Sequence, residues 1–125
     1  QESTMIVFDS YAWLEYFSGS KKGGIVNKII ESQEEIFTPA VCLAEIKRKY
    51  LKEKKEFKER VDFIITRSKI IKMDLNIALN SAEIAEKYKL YIIDAIVYSS
   101  ALSVNSELLT GDLHFKNLDK INFLD

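Results

Sequence analysis

The chain is short of the residues that staple or break a fold. Its one cysteine, Cys42, has no partner for an internal disulfide, which speaks against a disulfide-held secreted scaffold. One proline and four glycines among 125 residues exclude collagen-like repeats and Pro/Gly-rich disorder. Neither sign of charge dominates, since the formal net charge is −1, so no global basic excess announces a nucleic-acid partner, and any such binding has to be local. No apolar run approaches the roughly 18–20 residues needed to span a bilayer. The start of the chain also lacks the basic segment and apolar run of a secretory signal, so the expectation is a cytoplasmic protein without a membrane.

What is present is ordinary for an ordered domain, with 47% hydrophobic and 30% charged residues and enough length for one core without staples. Residues 1–4 read as an added or frayed end, and 5–125 as a single domain. Met5-Ile6-Val7-Phe8 is an unbroken apolar run that suits a strand buried on both faces, as in a parallel sheet. It stops on Asp9, at the carboxyl end, where open α/β sheets place their ligand crevice.

Trp13, Tyr16 and Phe17 then share a helical face, with Ser10 able to cap the first turn. Ser18 to Gly24 reads as the turn that ends this helix, and Ile25, Val26, Ile29 and Ile30 mark a second helix. A short strand at 36–38 is followed by Pro39, which suits the first turn of a helix over 40–55. That helix is expected to turn Val41, Ala44 and Tyr50 or Leu51 inward, and the next one Phe57, Val61, Ile64 and Ile65. A strand at 70–73 leads to helices over 76–87, with Ile77, Ala78, Ser81, Ile84 and Ala85 inward, and over 91–104, with Ala95, Val97, Tyr98, Ala101 and Leu102 inward. Strands at 107–110 and 121–124 close the chain. Strands alternating with helices predict an α/β fold with a mainly parallel sheet of four to five short strands.

Four acids stand in apolar sequence at the starts or ends of these elements: Asp9, Glu45, Asp94 and Asp112. Acids so flanked are poor candidates for merely solvated charge. Brought together unpaired they would raise one another's pKa, and a divalent cation removes that conflict. Mg²⁺ takes oxygen ligands and is usually held by one or two carboxylates plus substrate phosphate. Metal-assisted phosphodiester hydrolysis is therefore the natural reaction class.

In their order, Phe8-Asp9-Ser10-Tyr11-Ala12-Trp13, Glu45 behind Thr38-Pro39, Ile93-Asp94-Ala95-Ile96 and Leu109-Thr110-Gly111-Asp112-Leu113-His114-Phe115 resemble the motifs of PIN-domain ribonucleases. Among these the chain is most similar to the VapC toxins of VapBC toxin–antitoxin pairs, over residues 5–124. The resemblance implies an α/β/α sandwich and a Mg²⁺- or Mn²⁺-dependent endoribonuclease. It further implies a homodimer held in check by a cognate antitoxin that inserts into the active-site groove. By position, Asp9, Glu45, Asp94 and Asp112 match the family's acidic quartet as catalytic and metal-binding residues. Thr110 matches its hydroxyl residue, and Ser10 is a further candidate for that assisting role. Many relatives carry another acid where this chain has His114, which leaves one metal ion or two open.

Plainer readings stand beside these. Asp9 and Asp94 suit helix N-caps, a role compatible with ligation, and Asp112 suits a turn after Gly111. Glu15 reads as a solvated charge. The lone His114 is expected to satisfy a local hydrogen bond, Cys42 to fill the core, and Trp13, Tyr16 and Phe17 to pack in the core or a dimer contact. Residues 47–60 hold eight basic and three acidic side chains, by default a solvated helical face with pairs such as Lys49 with Glu53. Lys47 and Arg48 in this stretch, and Ser10 beside Asp9, are the candidates for RNA contact. Alternatives to the nuclease are a non-catalytic binding module of the same fold and a Mg-binding, receiver-like signalling domain, for which Phe8-Asp9-Ser10 supplies only one of the two acids needed.

Overall fold

The structure, a computed structural model, describes residues 4–125. Its elements are β1 (Met5–Phe8), α1 (Ser10–Ser18), α2 (Lys21–Ile30), β2 (Glu35–Pro39), α3 (Ala40–Glu53) and α4 (Lys58–Arg67). They continue with β3 (Lys69–Ile71), α5 (Leu75–Tyr88), α6 (Ile92–Ser103), β4 (Glu107–Thr110) and β5 (Ile121–Phe123). The five strands form one sheet in the order β3-β2-β1-β4-β5, and every neighbouring pair is parallel. Of the expected end segment, residues 1–3 lie outside the described residues, while the Thr4 carbonyl accepts the Glu35 N–H at 2.9 Å and so extends the β1–β2 pairing by one position.

Alternation along the strands explains why helices cover both faces. Ile6, Phe8, Ile36 and Leu109 face one cluster with Trp13, Val26, Ile46 and Ile64. Val7, Leu108 and the half-buried Phe37 face the other, with Cys42, Val97, Tyr98 and Phe115. Successive strand side chains point to opposite faces, so an apolar residue at every position of β1 requires a layer on each side. The result is the expected α/β/α sandwich. Its strand order departs from the 2-1-3-4-5 order of receiver-like sheets.

Several expected inward positions differ. In α3 the buried residues are Cys42, Ile46 and Tyr50, at a spacing of four. Ala44 and Leu51 are exposed and Val41 is half-buried, because this ridge and not the neighbouring one meets the sheet. Ile65, Ala78 and Leu102 likewise point outward, each one position beyond the buried Ile64, Ile77 and Ala101. A step of one residue turns a helical side chain by about 100°, enough to carry it off the buried stripe. Pro39 ends β2 as the residue before α3 and does not enter its first turn. The third strand is Lys69–Ile71, starting one residue and ending two residues earlier than the expected 70–73.

Polar groups in the core are paired. Trp13 Nε1 donates to Thr38 Oγ1 at 3.0 Å, Thr38 Oγ1 meets Ser68 Oγ at 2.8 Å, and Ser68 Oγ donates to the Ile64 carbonyl at 2.7 Å. Among the described residues no buried side-chain polar atom lacks a partner, as expected where each orphan would cost about 1–3 kcal/mol.

Candidate active site

The chain runs outward from β1 through β2 to β3, then crosses back to place β4 on the other side of β1. A crevice opens where the strand order reverses, at the carboxyl ends of β1 and β4. Asp9 and Asp112 follow those two strands, and the helices that run back along the sheet start at the same edge.

Asp9 is the N-cap of α1. Its Oδ1 accepts the Ala12 N–H at 2.9 Å. Ser10, expected as the cap, is instead the first residue of the helix, because Asp9 already holds the extended backbone a cap needs. Its hydroxyl is turned to Glu45 and donates to Oε1 at 3.1 Å. Asp94 lies in the first turn of α6, whose N-cap is Tyr91, so it reaches the cleft without capping. Asp112 caps a 3-10 turn at Leu113–Phe115 and accepts the His114 N–H at 2.9 Å. Its own N–H donates to Thr110 Oγ1 at 3.0 Å, and Thr110 is fully buried.

All four acids line one small cleft of about 170 Å³, together with Ser10 and Tyr11. Gly111 is required there by close approach: a Cβ at this position would lie 2.2 Å from Tyr11 Cε1. The Tyr11 ring thus lies close against the backbone at Gly111, and its hydroxyl accepts a hydrogen bond from Lys22 Nζ at 3.0 Å.

The electrostatics are those of acids with too little positive charge. Burial pushes the Asp9 carboxyl up from 3.8 to about 7, against the Thr110 hydroxyl and the Ala12 N–H, with Asp112 and Glu45 adding repulsion. Burial also raises Glu45, against its Ser10 hydrogen bond, and Asp94 and Asp112 raise it further. Asp94 is raised by burial and by Asp112, with the His114 ring pulling the other way. Among the described residues no lysine or arginine pairs with any of the four, and the one ionisable partner is the His114 ring. An oxygen-rich donor set short of positive charge fits a hard divalent cation.

His114 makes the hydrogen bond expected of it, to Asp94, 20 positions earlier in the chain. Nδ1 stands 3.0 Å from Asp94 Oδ2 and 3.3 Å from Asp112 Oδ1. Asp94, Asp112 and His114 each offer a donor atom within 4.8 Å of the others. Its position two residues after Asp112 was the signal for this, and its being a histidine instead of an acid obscured it. Cys42 is buried, as expected of a core residue, and burial holds its thiol well above the usual range.

A groove of about 510 Å³ leads away from Glu45 along α3, lined by Arg48, Lys49 and Lys52 with Glu53. Positions 45, 48, 49 and 52 form one helical stripe. Of the two basic candidates the structure brings Arg48 into this groove. Lys47 points elsewhere, its ammonium 4.8 Å over the Phe57 ring. Lys49 and Lys52 are the positions sequence reasoning missed, although the stripe from Glu45 contains both; Lys49 pairs with Glu53 at 2.7 Å as expected. Trp13 is buried, and the half-buried Tyr16 and Phe17 pack with it and with Phe63. Glu15 is half-buried and accepts the Ser20 hydroxyl at 3.0 Å, tying α1 to the cap of α2.

A family model described as PIN domain matches residues 6–121. Comparison by sequence with curated proteins finds no match. Among solved structures, a toxin–antitoxin complex from Klebsiella pneumoniae contains a chain 21% identical with a TM-score of 0.80, covering 96% of this chain and 98% of that one. A sarcin-ricin loop cleaving VapC toxin of Mycobacterium tuberculosis is 11% identical with a TM-score of 0.75, covering 96% and 99%. A VapBC complex of Rickettsia felis bound to a DNA fragment from its promoter gives 18% identity and a TM-score of 0.73, covering 96% and 97%.

Proposed function

Because the chain belongs to the PIN domain family, we propose that it is a divalent-metal-dependent endoribonuclease and the toxin of a toxin–antitoxin pair. The observation that carries this reading is the gathering of Asp9, Glu45, Asp94 and Asp112 in one cleft at the sheet's switch point. Three of these acids, Asp9, Glu45 and Asp94, are raised chiefly by burial and further by charges within the quartet. Structural acids are normally held by lysine, arginine or solvent; these stand side by side with hydroxyls, backbone N–H groups and the His114 ring as partners.

In this reading the four carboxylates hold Mg²⁺ or Mn²⁺. The ion when bound supplies charge neutralisation at the phosphodiester, a more acidic water and stabilisation of the leaving oxygen. The chain's own residues do the rest. Ser10 fixes Glu45 through Oε1 and leaves Oε2 to the cleft. Buried Thr110 orients the Asp112 backbone, and its hydroxyl also lowers the Asp9 carboxyl, favouring the ionised form. Arg48, Lys49 and Lys52 present cations along a groove that starts at Glu45, which suits a phosphate backbone running into the cleft.

The partners follow from the same family. Structures with this fold that are toxin–antitoxin complexes support a cognate antitoxin. A homodimer would cover exposed apolar side chains such as Tyr91 and Leu113, 74% and 73% exposed, and Leu75 and Leu79 on α5, whose burial is favourable. No described helix is long and apolar enough to cross a membrane, and the proposed site of action on RNA is the cytoplasm.

The test is incubation with structured and unstructured RNA in Mg²⁺, in Mn²⁺ and in chelator, beside Asp94→Asn. Cleavage should stop in chelator and fall at least about a hundredfold in the variant, with its circular dichroism unchanged. Undiminished cleavage by folded Asp94→Asn sinks the residue assignment, and cleavage that survives chelation sinks the metal dependence.

A further inference from the structure

His114 differs from the quartet in its donor atom. Its Nδ1 faces both Asp94 and Asp112, at 3.0 and 3.3 Å. Donor atoms about 3 Å apart are what neighbouring ligands of a cation show when each bond is roughly 2.1 Å. Two features hold the ring there. The backbone N–H of His114 is tied to Asp112 Oδ1 at 2.9 Å, and the Tyr91 ring packs edge-on against the imidazole at a centroid distance of 5.5 Å. Facing carboxylates alone, Nδ1–H donates to Asp94; with a cation in place of that proton, the neutral imidazole carries its proton on Nε2 and presents a lone pair at Nδ1.

We infer that His114 ligates the same cation as Asp94 and Asp112, making the site a mixed nitrogen–oxygen centre that prefers first-row transition metals to Mg²⁺. This rests on the reading of the cleft as a divalent-metal centre. Mg²⁺ gains little from a nitrogen donor, whereas affinity of an imidazole-containing site climbs from Mn²⁺ towards Co²⁺ and beyond. The carboxylates set the charge of the site, and the imidazole sets its selectivity.

The experiment is direct metal binding by the untagged full chain, followed by calorimetry with Mg²⁺, Mn²⁺ and Co²⁺ and by pulsed EPR of the Mn²⁺ form. The chain has a single histidine, so imidazole nitrogen coupling to Mn²⁺ has one source. Co²⁺ is expected to bind at least about tenfold more tightly than Mg²⁺. His114→Ala should lose that preference and the nitrogen coupling while keeping Mg²⁺ affinity within about twofold. His114→Asp should bind Mg²⁺ at least as well as the wild type, again without nitrogen coupling. Both variants change a half-exposed side chain and should fold. A Mn²⁺-bound wild type without nitrogen coupling overturns the inference and leaves the metal centre standing. Failure to bind any divalent cation overturns both.

Discussion

Asp9→Asn separates the stability of the fold from the chemistry of the cleft. Asp9 is 4% exposed and its carboxyl is raised from 3.8 to about 7, chiefly by burial. A carboxyl whose folded pKa lies above its unfolded one keeps its proton in the fold while the unfolded chain has lost it. Stability therefore falls as pH rises between about 4 and 7 and stays low above that window. At about 1.4 kcal/mol per pKa unit the penalty at alkaline pH is on the order of 4 kcal/mol. Asparagine keeps the cap, since its amide oxygen accepts the Ala12 N–H as well as a carboxylate does. In chelator at about pH 8 the variant should be more stable than the wild type by roughly 2–4 kcal/mol in urea denaturation, or about 10 °C in Tm. Near pH 4 the two should converge. Saturating Mn²⁺ should restore the wild type, by about 2.7 kcal/mol at a hundredfold excess over Kd, and help the variant less. Equal stability of the two proteins in chelator at about pH 8 would refute the claim that Asp9 is held ionised at the expense of the fold.

Two further outcomes follow from the walls of the cleft. Gly111→Ala should reduce cleavage, because the added Cβ displaces the Tyr11 ring lying 2.2 Å away. Combining it with Tyr11→Ala should restore part of the loss, a non-additivity read by a double-mutant cycle. Arg48→Ala with Lys52→Ala should weaken RNA binding across sequences and flatten its salt dependence by about 1.4 in the log–log slope for single-stranded RNA, while Lys47→Ala, whose ammonium sits on Phe57, should leave that slope unchanged.

Much of the architecture was legible because its signals are local. The apolar run ending on Asp9, the helical spacings and Pro39 next to α3 each act within a few residues, so element types and order could be read directly. Inward faces were harder. Ile64 and Ile65, or Ala101 and Leu102, are both apolar neighbours, and which one is buried depends on how the helix is rolled onto the sheet. The same limit applied to the basic stretch, where Lys47, Arg48 and Lys49 are adjacent in sequence but only the last two share the groove with Glu45.

By itself the sequence determined that four acids stand at element boundaries in apolar surroundings, and that their order is that of PIN domains. Those properties need only residue identity and spacing. The tertiary structure alone decided that the strand order reverses between β1 and β4, bringing Asp9 and Asp112 to one crevice with Glu45 and Asp94. It also decided that His114 joins Asp94 across 20 residues of chain. A distance between side chains is set by how helices and strands pack, and no local propensity encodes it.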